Sequence, residues 1–222
     1  MIIITLKILN KISPAIVGVR GELIASSINS TFPKFNITGS DAAATIANIV
    51  HESGEFTRFE ENLNYSVAGL IRTFGRHRIS LNQCNAYGRI SGVRKANEVA
   101  IANCIYGGYY GRRNLGNTLP GDGWNLRGSG GLQLTGRTVL SLFTAYYNKS
   151  YNVSMTIYQM AEKLRDKANI DITIYAACWF VKVFKKIKPG TSFIEYVRAI
   201  NGGLNGLEDR LKYFNRAVTY LK

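Results

Sequence analysis

The sequence predicts a mainly α-helical fold, with a helical body and one long irregular segment rich in glycine and aromatic residues. Apolar residues recur at helical spacing over most of the chain, and no convincing run of alternating strand residues appears. From Gly107 to Gly131 this periodicity disappears. Because an irregular segment of this length in a compact domain is usually functional, we expect it to build a loop-lined cleft.

Each predicted helix rests on apolar residues at helical spacing, together with residues that begin or end a helix. Residues 3–13 end at a proline, and residues 16–30 end at a Thr-Phe-Pro stretch. The third helix starts where Ser40 or Asp41 can cap it, and its apolar face continues to Glu52. Further helices are expected at residues 66–74, 95–106, 136–147, 156–168, 170–187, 191–200 and 206–221.

Length and composition favour a single domain over residues 1–222. The chain has 46% hydrophobic residues, which is enough to bury a substantial core. It has only 4 prolines and no Ser/Gly/Pro-rich linker. We expect a monomer.

The charge is strongly positive. There are 28 Lys and Arg residues against 14 Asp and Glu residues, a formal net charge of +14. Such a field favours a polyanionic partner, which can be nucleic acid, a membrane surface or a cell wall rich in phosphate and carboxylate. The basic residues are spread along the chain, so a basic nucleic-acid tail is not expected. A non-enzymatic alternative is a binding module in which YYGRR at 109–113 stacks on bases and neutralises phosphates.

Cysteine and histidine usage argues against a metal enzyme. Cys84, Cys104 and Cys178 lack paired spacing, so we expect structural thiols in a chain made in a reducing compartment. A zinc amidase needs about three protein ligands, and the chain has 2 histidines. A Cys/His peptidase can be assembled from these residues, but no local motif supports it. We expect no metal and no cofactor.

The N-terminal segment does not read as an export signal. It lacks a positive first region and a small-residue cleavage site. No window approaches the ~18 apolar residues of a membrane span. We therefore expect synthesis in the cytoplasm without a signal peptide, and no transmembrane segment.

Carboxylates are scarce but clustered. Four of the 14 acidic residues fall within the eleven residues from His51 to Glu61. The four are Glu52, Glu55, Glu60 and Glu61. The alternative to a catalytic role is that they are solvated helix-end acids neutralised by Arg58 and Arg72.

Two of these carboxyls are predicted to have opposed environments. Glu52 ends an apolar helix, with Ile49 and Phe56 expected on the same face. These apolar neighbours and the negative end of the helix dipole both disfavour ionisation, so the pKa of Glu52 is expected to be raised. Glu52 can therefore be protonated near neutral pH and act as a general acid. Glu61 lies among amide and hydroxyl groups that would keep it charged. Glycoside hydrolysis requires two such carboxyls.

Four segments, taken in order, carry a resemblance to a known family. They are residues 51–74 (HESGEF…), 97–117 (NEVAIANCIYGG…), 121–137 (GDGWNLRGSGGLQLTGR) and 199–210 (AINGGLNGLEDR). Together they resemble glycoside hydrolase family 19, over roughly residues 40–212. The chitinases of that family read HETTGG where this chain reads HESGEF, so it looks like the phage endolysin and lysozyme-like branch. The resemblance implies a lysozyme-like α+β fold with little β, whose catalytic core is 40–222 and whose N-terminal helical lobe is 1–39.

The resemblance also implies roles for residues. Glu52 matches the general acid, and Glu61 matches the base that activates water, although Glu60 stays an alternative. Thr135 falls where a hydroxyl helps to hold that water. The implied substrate-binding or site-organising residues are Gln133, Asn201, Tyr65, Trp124 and Arg210.

The implied activity is hydrolysis of β-1,4 bonds in bacterial peptidoglycan with inversion of configuration. In inverting enzymes the two carboxyls lie ~6.5–9.5 Å apart, which leaves room for the attacking water. A chitinase is the alternative. The expected partners are peptidoglycan and the anionic cell envelope, without specific nucleic acid. We expect action in the periplasm or cell wall after membrane permeabilisation, as in a phage endolysin, or delivery as an antibacterial effector.

Overall fold

A computed structural model describes residues 3–221 and confirms the mainly α-helical fold. The helices are α1 Leu6–Ile12, α2 Gly18–Thr31, α3 Gly39–Glu52, α4 Val67–Thr73, α5 Leu81–Tyr87, α6 Glu98–Ile105, α7 Gly108–Tyr110, α8 Asp122–Asn125, α9 Arg137–Tyr151, α10 Ile157–Arg165, α11 Ile170–Trp179, α12 Phe193–Asn201 and α13 Leu207–Tyr220. A 3-10 turn at Phe32–Phe35 follows α2, and π-helical turns at Gly111–Leu115 and Phe180–Phe184 follow α7 and α11.

The chain divides into two compact units. The first contains the residues up to Phe59, Gly130–Leu132 and the residues from Lys163 onward. The second contains Glu60–Ser129 and Gln133–Glu162. The predicted division into a 1–39 lobe and a 40–222 core stays a prediction.

Helix α3 forms the centre of the first unit. All of its residues from Asp41 to Val50 are buried, and it packs against α13, α11 and α12. Helix α2 packs against α11, and α1 packs against both α2 and α13. Because α3 is enclosed by other helices, its last residue, Glu52, has a backbone position fixed by the core.

Polar side chains inside this core find partners, as burial requires. The Thr45 hydroxyl lies 2.6 Å from the Tyr196 hydroxyl. Asp41 forms an ion pair with Lys182, in which both side chains are buried or nearly so. The expectation that Ser40 or Asp41 caps α3 is wrong, since the helix begins at Gly39 after Thr38. Asp41 instead points into the core because Lys182 compensates its charge there.

The second unit is built on α4, α5 and α6. Its buried apolar cluster contains Leu63, Leu70, Phe74, Ile79, Cys84, Ile101, Ala102 and Ile105. Asp122 at the start of α8 is buried and accepts hydrogen bonds from Arg137 at 2.6 and 2.9 Å and from Tyr158 at 3.1 Å. Asp122 therefore ties the irregular segment to α9 and α10.

The sequence reading missed α5. Ser80 and Gln83 form a capping box, in which each side chain accepts a hydrogen bond from the backbone N–H of the other residue. The predicted irregular segment also contains the short helices α7 and α8. Within residues 3–221 the extended backbone pairs only at isolated bridges, including Glu60 with Ser129 and Ser129 with Leu134.

In the part of the chain that the structure describes, no helix has the length and apolar character needed to cross a membrane. The thiols of Cys84 and Cys178 are buried, and that of Cys104 is partly buried; all three are free.

Candidate active site

Glu52, the last residue of α3, is held by a buried arginine. Arg210 of α13 donates a hydrogen bond to Glu52 Oε1, and it also donates to Asn48 Oδ1 at 2.7 Å and to the Asn205 carbonyl at 3.2 Å. The Arg210 side chain is 2% exposed, whereas that of Glu52 is 22% exposed. Arg210 therefore fixes the carboxyl of Glu52 while leaving it accessible to solvent.

This environment differs from the apolar one expected for Glu52. The helix ends at Glu52, so Phe56 does not occupy the next helical turn. The carboxyl is in contact with a guanidinium. The expectation was wrong because the contact comes from a residue 158 positions away. In the alternative reading Arg58 and Arg72 neutralise the clustered acids, whereas the ion pair of Glu52 is with Arg210.

A left-handed turn follows Glu52 after one intervening residue, Ser53. Gly54, Glu55 and Phe56 have φ values of 54, 61 and 61°, a conformation that is unfavourable for a residue as bulky as phenylalanine. The turn is held by a hydrogen bond from Glu55 N to the Val50 carbonyl at 2.7 Å. Arg20 of α2 donates to the Phe56 carbonyl at 2.8 Å. Strain of this kind persists only where the surroundings fix it, and it concentrates at functional sites.

Other first-unit residues lie close to Arg210. The Asn201 side-chain amide donates to the Asn205 carbonyl at 3.4 Å, the same carbonyl that Arg210 contacts. The structure thus brings the predicted residues Asn201 and Arg210 together with Glu52. His51 precedes Glu52 in the sequence. Its Nδ1 lies 2.7 Å from Asp209 Oδ2, and this contact orients the His51 ring.

Glu61, in the second unit, is held by a tyrosine and a backbone amide. The Tyr106 hydroxyl donates to Glu61 Oε1 at 2.5 Å, and the Gly128 N–H donates to Oε2 at 3.3 Å. The Glu61 N–H in turn donates to the Gly128 carbonyl at 3.1 Å. A Cβ at position 128 would lie 2.6 Å from Gln133 Oε1 and 3.3 Å from Glu61 Oε2. A side chain at position 128 would have to displace the Gln133 amide and press on Glu61, so glycine permits this close approach.

Burial raises the pKa of Glu61 above its ordinary value. The hydrogen bonds from Tyr106 and Gly128 lower it, and the charges of Arg78 and Arg127 do so more weakly, but together they do not cancel the effect of burial. The expectation that polar surroundings keep Glu61 charged stays a prediction, since burial opposes the effect of these hydrogen bonds. The pKa is raised because removal from water outweighs the hydrogen bonds that favour the charged form.

Glu60 has a different partner from Glu61. Its carboxyl accepts hydrogen bonds from Nε of Arg127 at 3.0 Å and from the terminal amino group of the same guanidinium. Arg127 is 8% exposed and Glu60 47% exposed. Glu60 therefore neutralises a buried cation, a structural task that Glu61 does not share.

Arg127 also contacts Trp124. The guanidinium carbon of Arg127 lies 3.4 Å from the Trp124 ring centroid. Nη1 of the same guanidinium donates a hydrogen bond to the Trp124 carbonyl at 2.6 Å. Trp124 and Tyr65 are both partly buried and pack against the apolar cluster of the second unit. Tyr65 has its pKa raised by burial and by the nearby charge of Glu61. Their roles as sugar platforms stay predictions.

Gln133 and Thr135 lie on the same short segment. Gln133 has a left-handed backbone with φ of 52°, and its side chain approaches Gly128 closely. The Thr135 hydroxyl donates to the Gln133 carbonyl at 2.9 Å. The structure thus places Gln133 with Gly128 and Glu61, and it links Thr135 to Gln133.

Sequence reasoning missed the residues that support Glu61. Tyr106 lies 45 positions from Glu61, and Arg127 lies 67 positions from Glu60. No spacing rule connects such positions. Among residues 3–221 no group of three or more His, Cys, Asp and Glu side chains is arranged to hold a metal ion.

Comparison with known proteins identifies the family. A protein of Haemophilus influenzae described as a "Glycosyl hydrolase family 19 domain-containing protein" is 33% identical over 172 residues, which cover 78% of this chain and 76% of that protein. No family model matches the chain.

Solved structures share the fold. Chitinase C from Streptomyces griseus HUT6037 has a TM-score of 0.53 at 16% identity, covering 99% of this chain and 76% of that one. A bacterial family 19 chitinase has a TM-score of 0.57 at 15% identity, covering 99% and 95%. The identity to the Haemophilus protein shows that the two proteins belong to one family, and the shared helical fold agrees with this. The chain belongs to glycoside hydrolase family 19 and is a glycan-degrading hydrolase of the lysozyme and chitinase-like type.

Proposed function

We propose that this enzyme hydrolyses β-1,4 bonds of bacterial peptidoglycan by single displacement with inversion. In this mechanism Glu52 is the general acid that protonates the glycosidic oxygen. Glu61 is the base that takes a proton from the attacking water. The proposal depends chiefly on Glu61, a half-buried carboxyl held by Tyr106 and Gly128 in a chain of a glycosidase family.

The surroundings of Glu61 suit a base better than those of Glu60. A raised pKa makes a carboxylate a stronger proton acceptor than an ordinary surface carboxylate. Glu60 is already bound to the Arg127 guanidinium through two nitrogens. Its use as a base would leave a buried cation without its partner, which is costly. These contacts favour Glu61.

The contacts of Arg210 suit an organiser of the acid side. It holds Glu52 Oε1 and the Asn48 side chain at once, so the direction of the carboxyl is fixed before substrate binds. Preorganisation of this kind is what keeps a reacting group in productive geometry. Thr135 and Gln133 are proposed to hold the water and the sugar on the Glu61 side, and Asn201 the sugar on the Glu52 side. Tyr65 and Trp124 are proposed to offer ring faces to the sugars.

The net charge favours peptidoglycan over chitin as substrate. Chitin is an uncharged polymer, whereas bacterial cell walls carry carboxylate and phosphate. A formal charge of +14 attracts an anionic polymer and brings no benefit on a neutral one. The HESGEF segment, in place of the HETTGG of the chitinases, points in the same direction.

A chitinase is the second candidate. The observation that favours it is the fold shared with two solved chitinases. Because peptidoglycan and chitin are both chains of β-1,4-linked N-acetylated amino sugars, the acid and the base would have the same roles. The two candidates differ in substrate only.

The biological setting that fits is a monomeric phage endolysin. It would reach the periplasm or cell wall after membrane permeabilisation and be retained there by charge. Delivery as an antibacterial effector would use the same chemistry. Salt sensitivity of wall binding tests the electrostatic part of this setting.

The experiment compares Glu52→Gln, Glu61→Gln and the control Glu162→Gln, which alters an exposed acid of α10. Purified peptidoglycan and chitin oligosaccharides are digested, and mass spectrometry identifies the sugar at each new reducing end. We expect the first two variants to lose at least about 1000-fold in rate, as for loss of essential acid–base groups, and the control to match the unmodified enzyme. Near-full activity of either variant would remove that residue from its role. Cleavage of chitin alone would favour the second candidate.

A further inference from the structure

Glu61 is linked through Tyr106 to a cation. Tyr106, which follows α6, donates its hydroxyl hydrogen bond to Glu61 Oε1 at 2.5 Å. The guanidinium carbon of Arg78 lies 5.5 Å from the centroid of the Tyr106 ring. Arg78 comes from the turn that joins α4 to α5. Residues from separate elements thus form a series of contacts that ends at the Glu61 carboxyl.

Aromatic rings hold the Arg78 guanidinium in place. Its carbon lies 5.0 Å from the centroid of Phe74 and 4.1 Å from that of Tyr110. Its Nε donates to the Ile105 carbonyl at 2.9 Å. Aromatic faces attract a cation without neutralising it. Among residues 3–221 no carboxylate lies within ion-pair distance of Arg78.

The charge balance around Glu61 gives Arg78 a specific effect. The charged and titratable groups that act on Glu61 or are acted on by it are Tyr65, Tyr106, Arg78 and Arg127. Arg127 is paired with Glu60. Tyr106 stays protonated because burial and the neighbouring Glu61 raise its pKa. Arg78 is therefore the cation near Glu61 whose charge no ion pair offsets in the described chain.

We propose that Tyr106 and Arg78 are positioning residues that orient Glu61 and stabilise its carboxylate form. The inference rests on the proposed role of Glu61 as the base. Tyr106 occupies Oε1, so Oε2, whose hydrogen bond from Gly128 is longer at 3.3 Å, takes the proton from water. The oxygen of that water then bonds to the anomeric carbon as the glycosidic bond breaks and the general acid protonates the leaving oxygen.

The pH dependence of activity tests the Tyr106 contact. In Tyr106→Phe the carboxylate loses a hydrogen bond that stabilises its charge, so the acidic limb of the kcat/KM profile should move to higher pH. A shift of about one to two pH units is expected from the strength of hydrogen bonds to charged groups. The matched control is Tyr109→Phe, since Tyr109 is 69% exposed and its hydroxyl contacts Arg113. Its profile should coincide with that of the unmodified enzyme.

Two substitutions of Arg78 separate charge from packing. Arg78→Gln removes the charge and should move the acidic limb in the same direction as Tyr106→Phe. Arg78→Lys keeps the charge and should return the limb towards its original position, even if lost stacking lowers the rate. Arg72→Gln, which removes an exposed charge of α4, is the control. Circular dichroism checks that each variant is folded.

The outcomes distinguish this inference from the proposed function. A uniform loss of rate at every pH, with the acidic limb unmoved in Tyr106→Phe and in both Arg78 variants, would reduce these residues to structural supports. If that result accompanies an inactive Glu61→Gln, the inference fails and the base assignment stands. An active Glu61→Gln would instead overturn the base assignment.

Discussion

Replacing Glu61 by glutamine should stabilise the folded enzyme at neutral pH. Folding takes this carboxyl from water to a site where burial raises its pKa above the ordinary 4.5. A group whose folded pKa is raised contributes stability below its unfolded pKa and loses it as the pH rises through the folded pKa. At neutral pH the charged Glu61 therefore opposes folding. Glutamine, similar in shape and always neutral, removes this opposition.

The magnitude follows from the pKa elevation. Each unit by which the folded pKa exceeds the unfolded one costs about 1.4 kcal/mol at neutral pH. In a chain of this length, about 1 kcal/mol corresponds to about 2–4 °C in Tm. The difference in the free energy of unfolding between Glu61→Gln and the unmodified enzyme should be constant in acid. It should then grow in favour of the variant as the pH rises from about 4.5 through the folded pKa.

Urea unfolding between pH 3 and pH 8 (roughly the range that spans both protonation states of a carboxyl) measures this difference. Glu60→Gln is the matched control. Because Glu60 neutralises Arg127, which is 8% exposed, its replacement should destabilise the protein at neutral pH. A Glu61→Gln difference that stays constant over the whole range would refute the reasoning.

Further predictions concern the contacts around each carboxyl. In Gly128→Ala the added Cβ would push the Gln133 amide aside and shift Glu61 by a few tenths of an ångström. The value of kcat should therefore fall by about 10-fold, less than the loss expected for a misplacement of about 1 Å, while circular dichroism stays unchanged; a rate within twofold would contradict this. Arg210→Lys loses the planar fork and should lower kcat by about 10-fold or more with little change in KM; a change in KM alone would contradict an organising role. Arg20→Met removes the hydrogen bond to the Phe56 carbonyl and should lower Tm by a few degrees, about 1 kcal/mol, together with kcat; an unchanged kcat would separate the left-handed turn from catalysis.

The fold was largely predictable because helical periodicity is a local property. The apolar face of α3 and the strongly apolar character of α11 are visible in the sequence, and both helices form the core. Helix α5 was missed although Ser80 and Gln83 carry a capping box, because its short length offers little periodicity. The role of Asp41 was misread for a different reason. Its ion pair with Lys182 joins residues 141 positions apart.

The surroundings of the predicted acid and base depend on contacts of the same long-range kind. The carboxyl of Glu52 is held by Arg210 and that of Glu61 by Tyr106, and neither pair follows from spacing along a helix or strand. The candidate residues could be identified because four segments follow one another along the chain in the same order as in the family. Their electrostatic environment could not, because burial depends on which distant residues cover them.

The stereochemistry of the first product tests the account most directly. Proton NMR of the anomeric signals, recorded within minutes of adding enzyme to a defined peptidoglycan oligosaccharide, distinguishes the two anomers before they equilibrate. Attack by a water molecule that Glu61 activates predicts the α-anomer first. Early appearance of the β-anomer would show net retention and would contradict the assignment of Glu61 as the base of a single displacement.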